Sequence, residues 1–202
     1  MPKEEDCVAD QALAAYSAFT NWTPVKSPTL TIGVREDLTM ASFAAAKGKA
    51  DALKAAILKA YGVELPSSPE RIQGRDIAFV WYGPDQWLAV AGRGSGAGRD
   101  IEMELKPLLA GLASVVDQSD GRAVVQISGP RARDVLAKGL PIDLHPRAFK
   151  ANGVAITHAS HIGVILWQTD AAPTYEIALF RSFSDSFTHW LLEAAAEYTN
   201  HA

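Results

Sequence analysis

The chain has 202 residues, 48% of them hydrophobic and 21% charged, which is enough apolar material for one large domain or two tightly joined halves and too much for a disordered polymer. Its formal net charge of −4 provides no clustered Lys and Arg to hold phosphate, which argues against nucleic acid as a partner. The single cysteine, Cys7, rules out an internal disulfide and a zinc finger and points to a reducing compartment, the cytoplasm.

No apolar run approaches the roughly 20 residues of a membrane helix, and the opening Met1-Pro2-Lys3-Glu4-Glu5-Asp6-Cys7 is acidic where an export signal would be basic. Residues 1–28 are weakly patterned and read as an N-terminal arm. Within it Ala12, Tyr16 and Phe19 could line a short helix before Pro24 and Pro28. The arm is either a frayed terminus or a segment ordered by a partner. Strands are predicted at Leu30 to Arg35 and Ala41 to Ala45, joined as a hairpin by the polar turn at Glu36 and Asp37. A helix from Lys49 to Tyr61 follows, with Leu53, Ile57, Ala60 and Tyr61 as its apolar stripe and Gly62 as its stop.

Beyond this point one unit is predicted three times: two strands joined by a turn, then an amphipathic helix. The first has Asp76 to Tyr82 and Trp87 to Ala91 around Gly83-Pro84-Asp85-Gln86, then a helix striped by Ile101, Leu105, Leu108 and Leu112 and kinked at Pro107. The second has Ala113 to Asp117 and Ala123 to Ser128 around Ser119-Asp120-Gly121. Its helix starts at Pro130, turns Ala132, Val135 and Leu136 inward and closes at Gly139. The third adds a strand at Val154 to His158 before Ile162 to Gln168 and Tyr175 to Phe180, which flank the turn Asp170 to Pro173. Its helix is capped by Ser182 or Ser184 and striped by Phe183, Phe187, Trp190, Leu191, Ala194 and Tyr198.

The expected fold class is α+β, with antiparallel sheet covered by helices on one side. Residues 29–202 form a single domain of two pseudo-repeated halves, about 29–112 and 113–202. Strands such as Ile77-Ala78-Phe79-Val80-Trp81 and Gly163-Val164-Ile165-Leu166-Trp167 are apolar on both faces, so their second face must meet other sheet or a partner.

No constellation marks catalysis. Gly92, Gly94 and Ala97 match the spacing of a dinucleotide fingerprint, with Asp117 about 20 residues on, but the antiparallel context favours a surface loop. His145, His158, His161, His189 and His201 show no ligand spacing, and a metal needs at least three converging donors. Asp100, Glu102 and Glu104 suit a helix start, while Asp117 and Asp120 bracket a turn. Ser119, Ser128 and Ser182 lie in no nucleophile motif. Thus no catalytic, cofactor-binding or metal-binding residue is assigned. Of Trp22, Trp81, Trp87, Trp167 and Trp190, most should be core, and Trp22 suits an interface.

The run Val115-Val116-Asp117-Gln118-Ser119-Asp120-Gly121-Arg122, continuing into Val125-Gln126-Ile127-Ser128-Gly129-Pro130-Arg131-Ala132, resembles the folate-binding glycine-cleavage T-protein, or aminomethyltransferase, fold. A closer resemblance is to the sarcosine oxidase gamma subunit family. It extends through Leu136-Ala137-Lys138-Gly139, Pro141-Ile142-Asp143-Leu144-His145-Pro146-Arg147-Ala148-Phe149, Pro173-Thr174-Tyr175-Glu176 and Arg181-Ser182-Phe183, and includes the turn Gly83-Pro84-Asp85-Gln86-Trp87-Leu88. These stretches span most of the chain from about residue 70, and the run from Asp143 to Phe149 is much more specific than the generic Ser128-Gly129-Pro130.

The resemblance implies a noncatalytic subunit of a heterotetramer that oxidatively demethylates sarcosine to glycine. The implied partners are alpha, beta and delta subunits, chiefly alpha, with a homo-oligomer open for the isolated chain. The implied cofactors, FAD, FMN, NAD and tetrahydrofolate, belong to the partner subunits. Where the transferases carry adjacent aspartates, the similarity places Ile162 and Gly163, which cannot move a proton. The alternative is a stand-alone tetrahydrofolate-binding or aminomethyltransferase-like protein, with Asp117 or Glu176 facing its cavity.

Overall fold

Residues 16–20, 22–94 and 98–199 are described in a computed structural model, and all assigned strand pairings among them are antiparallel. In chain order the elements are β1 (Val25–Lys26), β2 (Thr31–Val34), β3 (Leu38–Ala45), α1 (Ala50–Tyr61), β4 (Arg71–Gln73), β5 (Ile77–Gly83), β6 (Gln86–Gly92) and α2 (Ile101–Leu108). They continue as β7 (Ala113–Asp117), β8 (Arg122–Ser128), α3 (Ala132–Ala137), β9 (Val154–Ala159), β10 (Ile162–Asp170), β11 (Thr174–Phe180), a 3₁₀ turn (Arg181–Phe183) and α4 (Ser184–Thr199).

The strands form two sheets, ordered β1-β2-β8-β11-β10-β9 and β4-β5-β6-β3-β7. Two of the predicted hairpins are real: β5 pairs with β6 and β10 with β11. The other two are not. β2 pairs with β8 while β3 pairs with β6 and β7, so Glu36 and Asp37 carry the chain from one sheet to the other. Ser119-Asp120-Gly121 makes the reverse crossing between β7 and β8. A polar turn with Gly or Asp reverses the chain equally well within a sheet or between sheets, so local residues could not separate the two cases.

The three predicted hairpin–helix units therefore resolve into two longer ones. β3-α1-β4-β5-β6-α2 has strand order β4-β5-β6-β3, and β8-α3-β9-β10-β11-α4 has the corresponding order β9-β10-β11-β8. The fifth position in each is filled by β7 and β2, respectively. β2 precedes the first unit in sequence yet completes the sheet of the second.

Strand alternation builds four layers. Ala41, Phe43, Ile77, Phe79 and Trp87 pack on Leu53 and Ile57 of α1 and Ile101 and Leu105 of α2. On the other sheet Val125, Ile127, Val164, Leu166 and Ile177 pack on Val135 and Leu136 of α3 and Phe187 and Leu191 of α4. The opposite strand faces, with Leu38, Met40, Val80, Leu88 and Val90 from one sheet and Val124, Ile165, Trp167 and Ala178 from the other, meet in a third core. That contact supplies the second apolar face of β5 and β10. The two sheets are also tied at their β4 and β9 edges, where Arg71 N donates to Asn152 O at 2.7 Å and Val154 N to Pro69 O at 2.9 Å.

Helix ends follow their caps with some corrections. Gly62, with φ 70°, ends α1, and Asp100 Oδ1 accepts Met103 N at 3.1 Å to start α2. Ala60 is exposed. Pro107 lies in the last turn of α2, which stops at Leu108 instead of kinking, and α3 begins two residues after Pro130. Gly139 is required for a different reason than helix closure: a Cβ there would lie 2.2 Å from Trp190 Cζ2, so the indole of α4 rests on bare backbone. Phe183 precedes α4 and is 47% exposed, so it leaves the predicted stripe, and the buried face includes Ser184 and Ala195 instead.

Phe19 is buried in the core of the second unit, and Trp22 packs partly against it, their rings 6.0 Å apart. Ala12 and Cys7 lie outside the described residues.

Candidate functional site

Within β11 the sequence Tyr175-Glu176-Ile177-Ala178-Leu179 places one acid in an otherwise apolar buried strand, with Glu176 4% exposed. Alternation turns Tyr175, Ile177 and Leu179 toward α3 and α4 and leaves Glu176 between the sheets. Its direct cross-strand neighbours are Trp167 on β10 and Gln126 on β8, and Gly33 of β2 follows in the same row.

A carboxylate in that position needs donors, because burying an unpaired charge costs far more than burying a paired one. Trp167 Nε1 donates to Oε2 at 2.8 Å, Gln126 Nε2 donates to Oε1 at 3.3 Å, and the Arg35 guanidinium donates to Oε1 as well. Arg35 also grips Asp37 through Nε at 2.8 Å and Nη2 at 3.1 Å. Asp37 first, then Glu176, hold the Arg35 pKa above its usual value, and the Arg35 hydrogen bond holds Asp37 below the usual carboxylate range. Facing them from β4, Arg71 has its pKa pushed down by burial and drawn back up by Glu176.

Arg35, Arg71, Gln126 and Glu176 line a cleft of about 310 Å³, with Asp76 and Thr169 at its wall. Both Glu176 oxygens accept from protein donors, Oε1 from Arg35 and Gln126 and Oε2 from Trp167, so the group anchors the sheet interface.

The other sequence candidates do not join it. Asp117 Oδ1 accepts Ser119 N at 3.0 Å and Ser119 Oγ at 2.7 Å, which makes it a turn-former at the sheet crossing. Asp120 faces Arg93 at 3.5 Å with 88% of its side chain exposed. Ile162 and Gly163 open β10 five and four residues before Trp167, roughly 13–16 Å away along the strand. His145 Nδ1 accepts Arg147 N at 3.2 Å, His158 pairs with Gly163 across β9 and β10, and His189 is an exposed partner of Glu193 at 3.3 Å. His201 lies outside the described residues. Among the described residues no three His, Cys, Asp or Glu converge as metal ligands, and no helix is long and apolar enough to cross a membrane.

Gly92 ends β6, whose neighbours β5 and β3 are both antiparallel, so the glycine run lacks the parallel crossover that a dinucleotide fingerprint needs; Ala97 is outside the described residues. The Arg35–Glu176–Trp167 group was missed by sequence patterning, although an acid inside an apolar strand was a visible signal. Another buried cation, Arg122, is 6% exposed, lies 4.6 Å from the Phe180 ring centre and donates to Tyr82 Oη at 2.8 Å.

Comparison with known proteins supplies a second line of information. The sarcosine oxidase gamma subunit family matches residues 45–197. Sarcosine oxidase subunit gamma from an Arthrobacter species is 38% identical over 149 residues, covering 72% of this chain and 71% of that protein. The subunit gamma of Corynebacterium strain P-1 is 37% identical over the same length and the same shares. Among solved structures, a chain of heterotetrameric sarcosine oxidase from Corynebacterium U-96, in complex with pyrrole 2-carboxylate, superposes with TM-score 0.79 at 29% identity, covering 93% of this chain and 98% of that one. Aminomethyltransferase T of the Bartonella henselae glycine cleavage system shares the fold at TM-score 0.59 and 15% identity, over 81% of this chain and 45% of that one.

Proposed function

The chain belongs to the sarcosine oxidase gamma subunit family, and on that premise we propose that it is a noncatalytic subunit of a heterotetrameric sarcosine oxidase, supporting assembly of the complex that demethylates sarcosine to glycine. The observation that carries this reading is the near-complete superposition on one chain of such a heterotetramer. Its partners are then the alpha, beta and delta subunits, chiefly alpha, and FAD, FMN, NAD and tetrahydrofolate reside in those partners in the cytoplasm. Two features of the chain are in keeping with a docking role. Glu176 accepts from Arg35, Gln126 and Trp167, and the resemblance to the transferases would put Ile162 and Gly163, which cannot move a proton, at the positions of their aspartates. Residues 29–202 are read as one folding unit, because β2 and β7 hold the two halves' crossings in place, and the preceding arm of residues 1–28 joins it at its end through Phe19 and β1.

Co-expression with the candidate partner genes tests the assignment. The chain should co-purify with them, and flavin absorbance should appear only in fractions that contain the partners. In calorimetry the chain by itself should take up no tetrahydrofolate. Turnover of sarcosine by the chain alone, or stoichiometric folate binding to it, would replace this reading with the stand-alone transferase-like alternative.

A further inference from the structure

The run from Pro141 to Phe149, which contains the specific Asp143 to Phe149 stretch of the family likeness, takes no part in the Glu176 cleft. It folds on itself between α3 and β9. Asp143 Oδ1 accepts His145 N at 2.8 Å, and the His145 carbonyl accepts Ala148 N at 2.8 Å and Phe149 N at 2.9 Å. Leu144 and Phe149 anchor it in the core of the second unit. With Lys150 it forms one wall of a separate cavity of about 290 Å³, lined also by Arg133 of α3 and Gln168 near the end of β10.

Two features of this cavity call for an occupant. Its charged lining residues, Arg133 and Lys150, are both cations, and neither has a carboxylate within 4.0 Å among the described residues. The nearest acid in sequence, Asp134, is taken by Arg131 at 2.8 Å. In addition, three buried polar atoms in this region have no partner among the described residues: Arg133 Nε, Gln168 Oε1 and the hydroxyl of Tyr175, whose ring lies 5.9 Å from the Arg133 guanidinium carbon. Gln168 is 1% exposed and Tyr175 0%. The amide of Gln168 cannot simply be turned over, because its Nε2 donates to the Asp170 carbonyl at 2.5 Å. Its oxygen is thus left as an acceptor. Each such orphan costs about 1–3 kcal/mol, so the two on residues that line the cavity, Arg133 Nε and Gln168 Oε1, are expensive unless something fills it.

We propose that this cavity binds a small organic acid carrying its own hydrogen-bond donor, a hydroxy- or amino-carboxylate. The carboxylate meets Arg133 and Lys150, and the ligand O–H or N–H donates to Gln168 Oε1. Planar, bidentate guanidinium donors suit a carboxylate. At roughly 30 Å³ per water the space equals about ten waters, enough for a four-carbon acid.

Calorimetric titration of the full-length chain with L-malate and with succinate, which differ only by the hydroxyl, tests the site. Malate should bind saturably and about tenfold more tightly than succinate, the factor that one hydrogen bond of ordinary strength supplies. Gln168→Met should erase the difference between the two acids. Lys150→Met, at an exposed position that leaves the core untouched, should weaken both, and Arg133→Gln should abolish both. Equal affinity for the two acids, binding indifferent to Lys150→Met, or no saturable heat with either acid on the unaltered chain would overturn the proposal.

Discussion

Replacing Glu176 with Gln separates charge from shape at the sheet interface. The Glu176 side chain is 5% exposed and its partner Arg35 29%, so the pair is only lightly screened by solvent. The introduced amide keeps the volume and one acceptor, but it presents an NH₂ where both flanking groups, Trp167 Nε1 and the Arg35 guanidinium, are donors. One of the two contacts must turn donor against donor. A hydrogen bond to a charged group contributes about 1.5–3 kcal/mol. Arg35 keeps Asp37, so the loss should sit near the lower end, about 2 kcal/mol, or roughly 4–8 °C in Tm for a chain of this length. Scanning calorimetry measures the shift, and near-ultraviolet circular dichroism reports the Trp167 environment. Arg35→Met in both backgrounds completes a cycle whose coupling should be about 1–2 kcal/mol. If Glu176→Gln melts within about 1 °C of the parent, or the cycle is additive, the carboxylate does not anchor the interface and the reasoning fails.

Three further outcomes follow from the packing and electrostatics. Gly139→Ala should cost about 1–3 kcal/mol by driving a Cβ into the Trp190 ring, and Trp190→Leu in the same chain should recover part of that loss; equal denaturant midpoints for the parent and Gly139→Ala would refute the close approach. Trp87→Phe removes the donor at 2.8 Å from the buried Pro66 carbonyl and should lower stability by about 1–3 kcal/mol in urea unfolding, whereas an unchanged midpoint would mean that the carbonyl finds another partner. Because Asp37 is held below the ordinary carboxylate value, its contribution is complete above the unfolded pKa near 4 and disappears as pH falls through the lower folded value. The Tm of Asp37→Asn should accordingly lie below that of the parent at neutral pH and converge with it in acid. Curves that stay parallel down to about pH 2 would contradict the Arg35 contact.

Much of the candidate site was within reach of the sequence, but its composition was not. Glu176 and Gln126 stood inside recognisable strands, and an acid in an apolar strand implies a buried partner. The partner itself, Arg35, is 141 residues away and becomes a neighbour only because β2 is inserted beside β8. Asp117 illustrates the opposite outcome: a plausible acid by position, it is held by the adjacent Ser119. The orphaned atoms of Arg133, Gln168 and Tyr175 carry no sequence signal, since each is an ordinary residue until the Pro141 to Phe149 loop closes over them.

Local chemistry determined what local energy can decide. Apolar spacing set the helices at Leu53 and Ile57 and at Phe187 and Leu191, and two-residue periodicity set which face of each strand is apolar. A short turn brings β5 to β6 and β10 to β11. Tertiary structure alone decided that Glu36-Asp37 and Ser119-Asp120-Gly121 cross between sheets, that β2 completes the second unit, and that the doubly apolar strands bury their second face against each other. A strand's hydrogen-bonding edge is the same whichever partner it meets, so its neighbour is selected by the total apolar surface removed from water, a quantity that exists only once both sheets and all four helices are in place.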